Sequence, residues 1–166
     1  MKSLALKILV AFLALAVVTT AADAQRSKRK GRGSAAAARP EIGGHAGYNF
    51  DAEVAFAGAQ AAIPVANKVD FYPSFSYYFV SDATEWALNF DARLRPQVAN
   101  RNGYLGAGIN LLYYSVTGSS DTQTNVNLFG GIEGRRGGIR PFAEARLIFG
   151  HGTTFQVQGG LNFPLR

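Results

Sequence analysis

An all-β fold, an eight-stranded antiparallel up-and-down transmembrane β-barrel with a filled polar lumen, is predicted by three features of this 166-residue chain. Short segments that alternate apolar and polar residues follow one another from about Gly43 to the end, with no helical periodicity after the N-terminal apolar run. The polar positions of those segments carry arginines, carboxylates and amides, and Lys68 is the single lysine after Arg39. The apolar positions carry large side chains that would aggregate if turned toward water. The pattern is clearest where Val69, Phe71, Phe75, Tyr77 and Phe79 share one face while Asp70, Tyr72, Ser74, Ser76 and Tyr78 share the other.

The first element is a predicted secretory signal. Lys2 and Lys7 precede an apolar run from Ile8 to Val18, and Ala22 and Ala24 fit the small-residue rule for cleavage, so residues 1–24 read as removable. An uncleaved anchor is the alternative, but the run falls short of the roughly 18 apolar residues of a spanning helix. Cysteine is absent, which excludes a lipoprotein, disulfides and thiol chemistry. Residues 25–40 read as a basic, low-complexity linker without the apolar residues that could fold it. Eight of the seventeen basic residues precede Pro40; the remainder carries nine basic against ten acidic residues. The net charge of +6 therefore belongs to the signal and the linker, and nucleic acid is excluded as a partner because no stacking aromatic is interleaved with the charges. A solvated linker is one reading; a contact with anionic phospholipid or cell-wall polymer is the sharper one.

Turn-forming residues divide the third element, 41–166, into eight expected strands: Ile42–Phe50, Val54–Pro64, Val69–Val80, Trp86–Arg95, Tyr104–Val116, Thr124–Arg135, Ile139–Phe149 and Thr153–Leu165. Lengths near ten residues suit tilted membrane strands. A soluble barrel alternates too, with its apolar face inside, but its exterior would be rich in Lys and Glu. Here the polar face carries Asp70, Asn89, Asp91, Arg93, Arg95, Asn127, Glu133, Arg135, Arg140, Glu144 and Arg146, which can pair with one another. The opposite face carries Trp86, Leu88, Phe90, Leu111, Tyr113, Leu128, Phe155 and Phe163, and is expected to meet lipid.

On this pattern the segment 41–166 resembles the OmpA/OmpX type of small bacterial outer-membrane protein. The resemblance implies a bacterial outer-membrane location, insertion by the barrel assembly machinery, and contact with outer-membrane lipids and lipopolysaccharide. Such barrels usually close on a strand with a terminal aromatic residue; here Phe155, Val157, Leu161, Phe163 and Leu165 alternate, and Arg166 stands last.

With both termini periplasmic, Lys68, Arg101 and Arg136 fall in the periplasmic turns, and Asp51, Glu53, Asp82, Glu85 and Asp121 form an acidic external rim. That rim could bind divalent cations; a solvated rim is the plainer reading. Pairing Phe79 with Trp86 sets Asp70 opposite Arg95 and Tyr72 opposite Arg93. In the sixth hairpin, a Gly137-Gly138 turn has good local chemistry, but a shift of two sets Glu133 against Arg140, which electrostatics prefer. The expected lumen holds Arg93, Glu133 and Arg140 together, with Asp70 and Arg95 below, and inward Gly106, Gly108 and Gly131 leaving room for arginines. A barrel of about eight strands filled in this way is not a diffusion pore.

No cofactor or metal site is expected, since the chain has only His45 and His151 as soft ligands. The glycines lack the strand-to-helix context of a phosphate loop. The preferred function is a non-enzymatic barrel with a structural or envelope-interaction role. An outer-leaflet lipid A-modifying enzyme is the alternative, built on His151 with Ser115, Ser119 or Ser120, or on the inward His45. A soluble periplasmic barrel binding an apolar ligand is the third.

Overall fold

The computed structural model describes residues 39–95, 103–134 and 138–165. The signal, most of the basic linker, Arg101, Arg135, Arg136 and Arg166 lie outside the described residues. Eight strands follow in order: β1 (Glu41–Asn49), β2 (Val54–Ala66), β3 (Val69–Tyr78), β4 (Thr84–Leu94), β5 (Gly103–Val116), β6 (Ser119–Glu133), β7 (Arg140–Phe149) and β8 (Thr153–Pro164). Each pairs antiparallel with the next, and β8 returns to β1 from Glu41↔Pro164 to Asn49↔Gln156, so the barrel is closed. Closure leaves no sheet edge unpaired.

The upper end of the barrel carries the β1–β2, β3–β4, β5–β6 and β7–β8 connections; the lower end carries the other three and both ends of the barrel chain. At the top of β1, Asn49 Oδ1 accepts the amides of Asp51 and Ala52, both at 3.1 Å, a side-chain turn that starts the reversal. Thr117 and Gly118 alone join β5 to β6, with Gly118 at φ +86°, where a side chain would be strained.

Three expectations about the strands need correction. β6 begins at Ser119 and not Thr124, because the polar run 119–123 pairs with β5 up to Val116↔Ser119 and lengthens the hairpin. β2 runs on to Ala66 through a bulge between Pro64 and Ala66, an irregularity that suits a residue with no amide to give the ladder. β3 and β4 pair two residues away from the expected register: Tyr77 faces Trp86, Asp70 faces Arg93 and Tyr72 faces Asp91. The observed register brings the Trp86 ring to 6.2 Å from that of Phe75 and puts the Asp70 and Arg93 side chains side by side.

The two faces of the sheet differ as sharply as the sequence does. Trp86, Leu88, Phe90, Leu111, Tyr113, Leu128, Phe155 and Phe163 all occupy outward positions, with Leu88 paired to Leu111 and Leu128 to Leu147. Phe71, Phe79, Ile109, Ile132 and Leu161 join them as exposed apolar side chains. The buried interior is mostly polar. Its apolar part includes two small clusters, one of Val54, Phe56, Tyr78 and Ala87, the other of Ala62, Tyr72, Tyr104 and Phe129. Leu111→Arg is expected to cost about 2–4 kcal/mol if its outward position lies near the middle of a bilayer. Urea unfolding in a single detergent checks this, and no loss would mean that the outward face is not the lipid face.

Candidate functional site: the ion-paired lumen

The lower lumen holds three arginines and three carboxylates, delivered by five strands. Arg93 is fully buried and lies against Asp70 (3.0 Å), Glu133 (3.3 Å) and Glu41 (4.0 Å). Arg95 reaches Asp70 (2.6 Å), Glu41 (3.4 Å) and Glu133 (3.7 Å) from the end of β4. Arg140 pairs with Glu41 and lies 3.7 Å from Glu133. The guanidinium of Arg93 also sits over the Tyr72 ring at 4.4 Å and the Tyr104 ring at 5.2 Å, so one planar cation is held by ion pairs at its edge and aromatic rings at its faces. Charges removed from water this completely persist only when paired and hydrogen-bonded.

A second cluster lies above it. Arg146, buried and stacked over Phe129 at 4.5 Å, pairs with Asp91 (2.8 Å) and Glu144 (3.0 Å). Glu144 also accepts the Tyr104 hydroxyl (3.0 Å) and the Gln158 amide (2.8 Å). The space left by Gly106, Gly108 and Gly131 is filled by Phe129, Asp91 and Tyr104 respectively, and not by arginine side chains as expected. Each ring or carboxylate lies over the glycine of the paired strand, where a Cβ would collide.

The sixth hairpin reverses another expectation. Glu133 faces Phe142, not Arg140, which is the register of the Gly137-Gly138 turn. The long Arg140 side chain still reaches Glu133 and Glu41 across the lumen, so the charges need not be directly opposed. Likewise Asp70 and Arg95 pair without facing each other across β3 and β4. Glu41, central to the lower cluster, went unread in the sequence. It opens β1 next to the basic linker, and its parity with the inward His45 was the available signal.

Amides and hydroxyls connect the clusters. Asn125 donates to Asn110 (3.1 Å), Asn110 to Asn89 (2.9 Å), and Asn89 to Ser74 (3.0 Å). Gln60 donates to Asn162 (2.7 Å), which donates to Glu133 (3.2 Å). Since Gln60 presents its oxygen to His45, Nδ1 of that ring donates (2.6 Å), and Nε2 accepts the Ser76 hydroxyl at 3.0 Å. His45 and Ser76 are both buried in the lumen wall.

The surface pairing of His151 with serine, on which the enzymatic alternative rested, is not formed among the described residues. Ser115 donates instead to the Ser119 carbonyl (3.5 Å), and no hydrogen bond joins it to His151 among the described residues. Among those residues no group of three or more His, Asp or Glu is arranged around a common metal position. The acidic rim is not uniform either. Asp51, Glu53 and Asp82 lie in the upper turns, but Asp121 sits within β6 opposite Tyr114, and Glu85 is a half-buried, inward residue of β4 opposite Tyr78. Asp51 accepts the Phe155 amide (2.6 Å), and Asp121 accepts Gln123 (3.2 Å).

Comparison with solved structures accounts for the closed eight-stranded sheet. The N-terminal β-barrel domain of Pseudomonas aeruginosa OprF superposes with a TM-score of 0.67 at 15% identity, over 77% of this chain and 98% of that one. The fold is that of a small outer-membrane barrel. Neisserial surface protein A matches with a TM-score of 0.57 at 13% identity, over 76% of this chain and 97% of its own. A de novo designed protein, TMB2.3, matches at 0.50 and 12%, over 78% of this chain and 95% of its own. No family model and no curated protein matches the sequence.

Proposed function

We propose that the protein is a non-enzymatic barrel of the bacterial outer membrane with a structural or envelope-interaction role, and not a general diffusion pore. The observation that carries this reading is the union of an apolar outward face with a lumen crossed by ion pairs: Arg93, Asp91, Asn110, Asn127 and Asn162 are at most 1% exposed. A water-filled path would require those side chains to be solvated. Lipid and lipopolysaccharide would cover the outward face, the barrel assembly machinery would insert it, and residues 1–24 would direct export. The basic linker would lie at the periplasmic end, where anionic phospholipid or cell-wall polymer is within its reach. A lipid A-modifying activity finds little support, because the Ser–His contact seen among the described residues, Ser76 with His45, is sealed in the lumen wall.

The mature protein is expected to require detergent for solubility, and to migrate differently in a denaturing gel before and after boiling, as a closed barrel ladder resists the detergent until heated. In a planar bilayer it should add no steady conductance. Recovery as a detergent-free monomer would overturn the membrane reading, and a steady ohmic conductance would overturn the plugged lumen.

A further inference from the structure

At the upper mouth the lumen opens into a cup of about 110 Å³, lined by Glu85, Gln123, Asn125, Gln156 and His151 together with the apolar Leu112 and Ile148. Several of its donors are already engaged. Asn110 and Asn125 spend amide hydrogens on the ladder beneath, Gln156 donates to the Tyr78 hydroxyl (2.9 Å), and Gln123 donates to Asp121. The carbonyl oxygens of Asn125, Gln123 and Gln156 make no hydrogen bond to another described residue. Neither does either oxygen of Glu85, which forms no ion pair with a described residue, half-buried though it is. A carboxylate drawn away from water in this way calls for a cationic or donor-rich counterpart.

Apart from His151, which lines the cup, no basic residue occupies the four upper connections, whereas Asp51, Glu53 and Asp82 do, so the potential around the mouth draws cations toward the cup. We propose that the cup is a binding site for the primary ammonium group of a small amine. The three N–H donors of an ammonium match one carboxylate oxygen and the neighbouring amide oxygens, in charge-assisted hydrogen bonds. A bare divalent ion would be worse served, since calcium takes six to eight oxygen ligands and is held in proteins by several carboxylates, whereas Glu85 is the one carboxylate among the cup's lining residues. That the cup faces the cell exterior rests on the outer-membrane reading; binding to the detergent-solubilised protein does not.

The test is calorimetric titration of the folded, detergent-solubilised mature protein with n-butylamine, with n-butanol and calcium chloride as comparators. Saturable binding of the amine, absent for butanol and for calcium, is expected. Glu85→Gln should weaken it roughly tenfold or more, as loss of a charge-assisted partner does. Asp82→Asn and Glu53→Gln, which alter only the rim, should leave it within about twofold. Unchanged heat-dependent gel migration of each variant shows that the barrel is intact. Absence of saturable amine binding, equal binding by Glu85→Gln, equal binding of butanol, or preferential calcium binding would each overturn the site. None of these outcomes bears on whether the barrel spans a membrane, which the solubility and gel experiments decide separately.

Discussion

Replacing Arg93 by Met should lower the unfolding free energy by about 3–5 kcal/mol, the range for removing one partner from a buried charge cluster. Arg93 is the fully buried cation between Asp70, Glu133 and Glu41. Without it, those three carboxylates share Arg95 and Arg140, which are partly exposed and already committed. Met keeps much of the aliphatic packing against Tyr72, so the loss reports charge more than volume. The midpoint in urea should fall with an unchanged slope, since the surface exposed on unfolding is the same. Adding Asp70→Asn should restore part of the loss. A decrease below about 1 kcal/mol would mean that the carboxylates are hydrated and the lumen is wet.

Glu133→Gln should destabilise by about 2–3 kcal/mol, because Gln keeps the shape and can satisfy only some of the donors facing it. Those donors are Arg93, Arg95, Arg140 and the Asn162 amide. Asp82→Asn, in an upper turn, should change stability by no more than about 0.5 kcal/mol. Adding Arg140→Gln to Glu133→Gln leaves Glu41 and Asp70 with Arg93 and Arg95, a balanced set. The double variant should therefore lose less than the two single losses together. Strict additivity would show that Glu133 and Arg140 do not sense each other.

Strand number, order and face were legible in the sequence because a period of two forces each side chain to one side, and a barrel has only two sides. Thus Phe155 and Phe163 go outward and Glu144 and Arg146 inward from their parity alone. Register was less legible. Sliding one strand by two residues keeps every face, so Tyr77 or Phe79 could equally face Trp86, and the choice depends on ring stacking and loop length that no local rule encodes. Cross-strand charge rules misled for a related reason. They weigh residues directly opposed on neighbouring strands, whereas arginines reach across a narrow lumen, as Arg140 on β7 does to Glu41 on β1. Glu41 was missed because it borders a low-complexity segment, and Glu85 was read as a loop residue although its parity aims it inward.

The position of Glu41 bears on how the barrel can be put together. It stands at the start of the first strand, while its partners Arg95 and Arg140 come from the ends of the fourth and the start of the seventh. Until the first and last strands meet, an open sheet carries those arginines without this carboxylate. Neutralisation and closure are then one event, between residues separated by most of the chain. Contacts of such long sequence separation slow folding, and a half-inserted sheet gains little from stopping short. The ring that plugs the finished barrel would thus also make its formation nearly all-or-none.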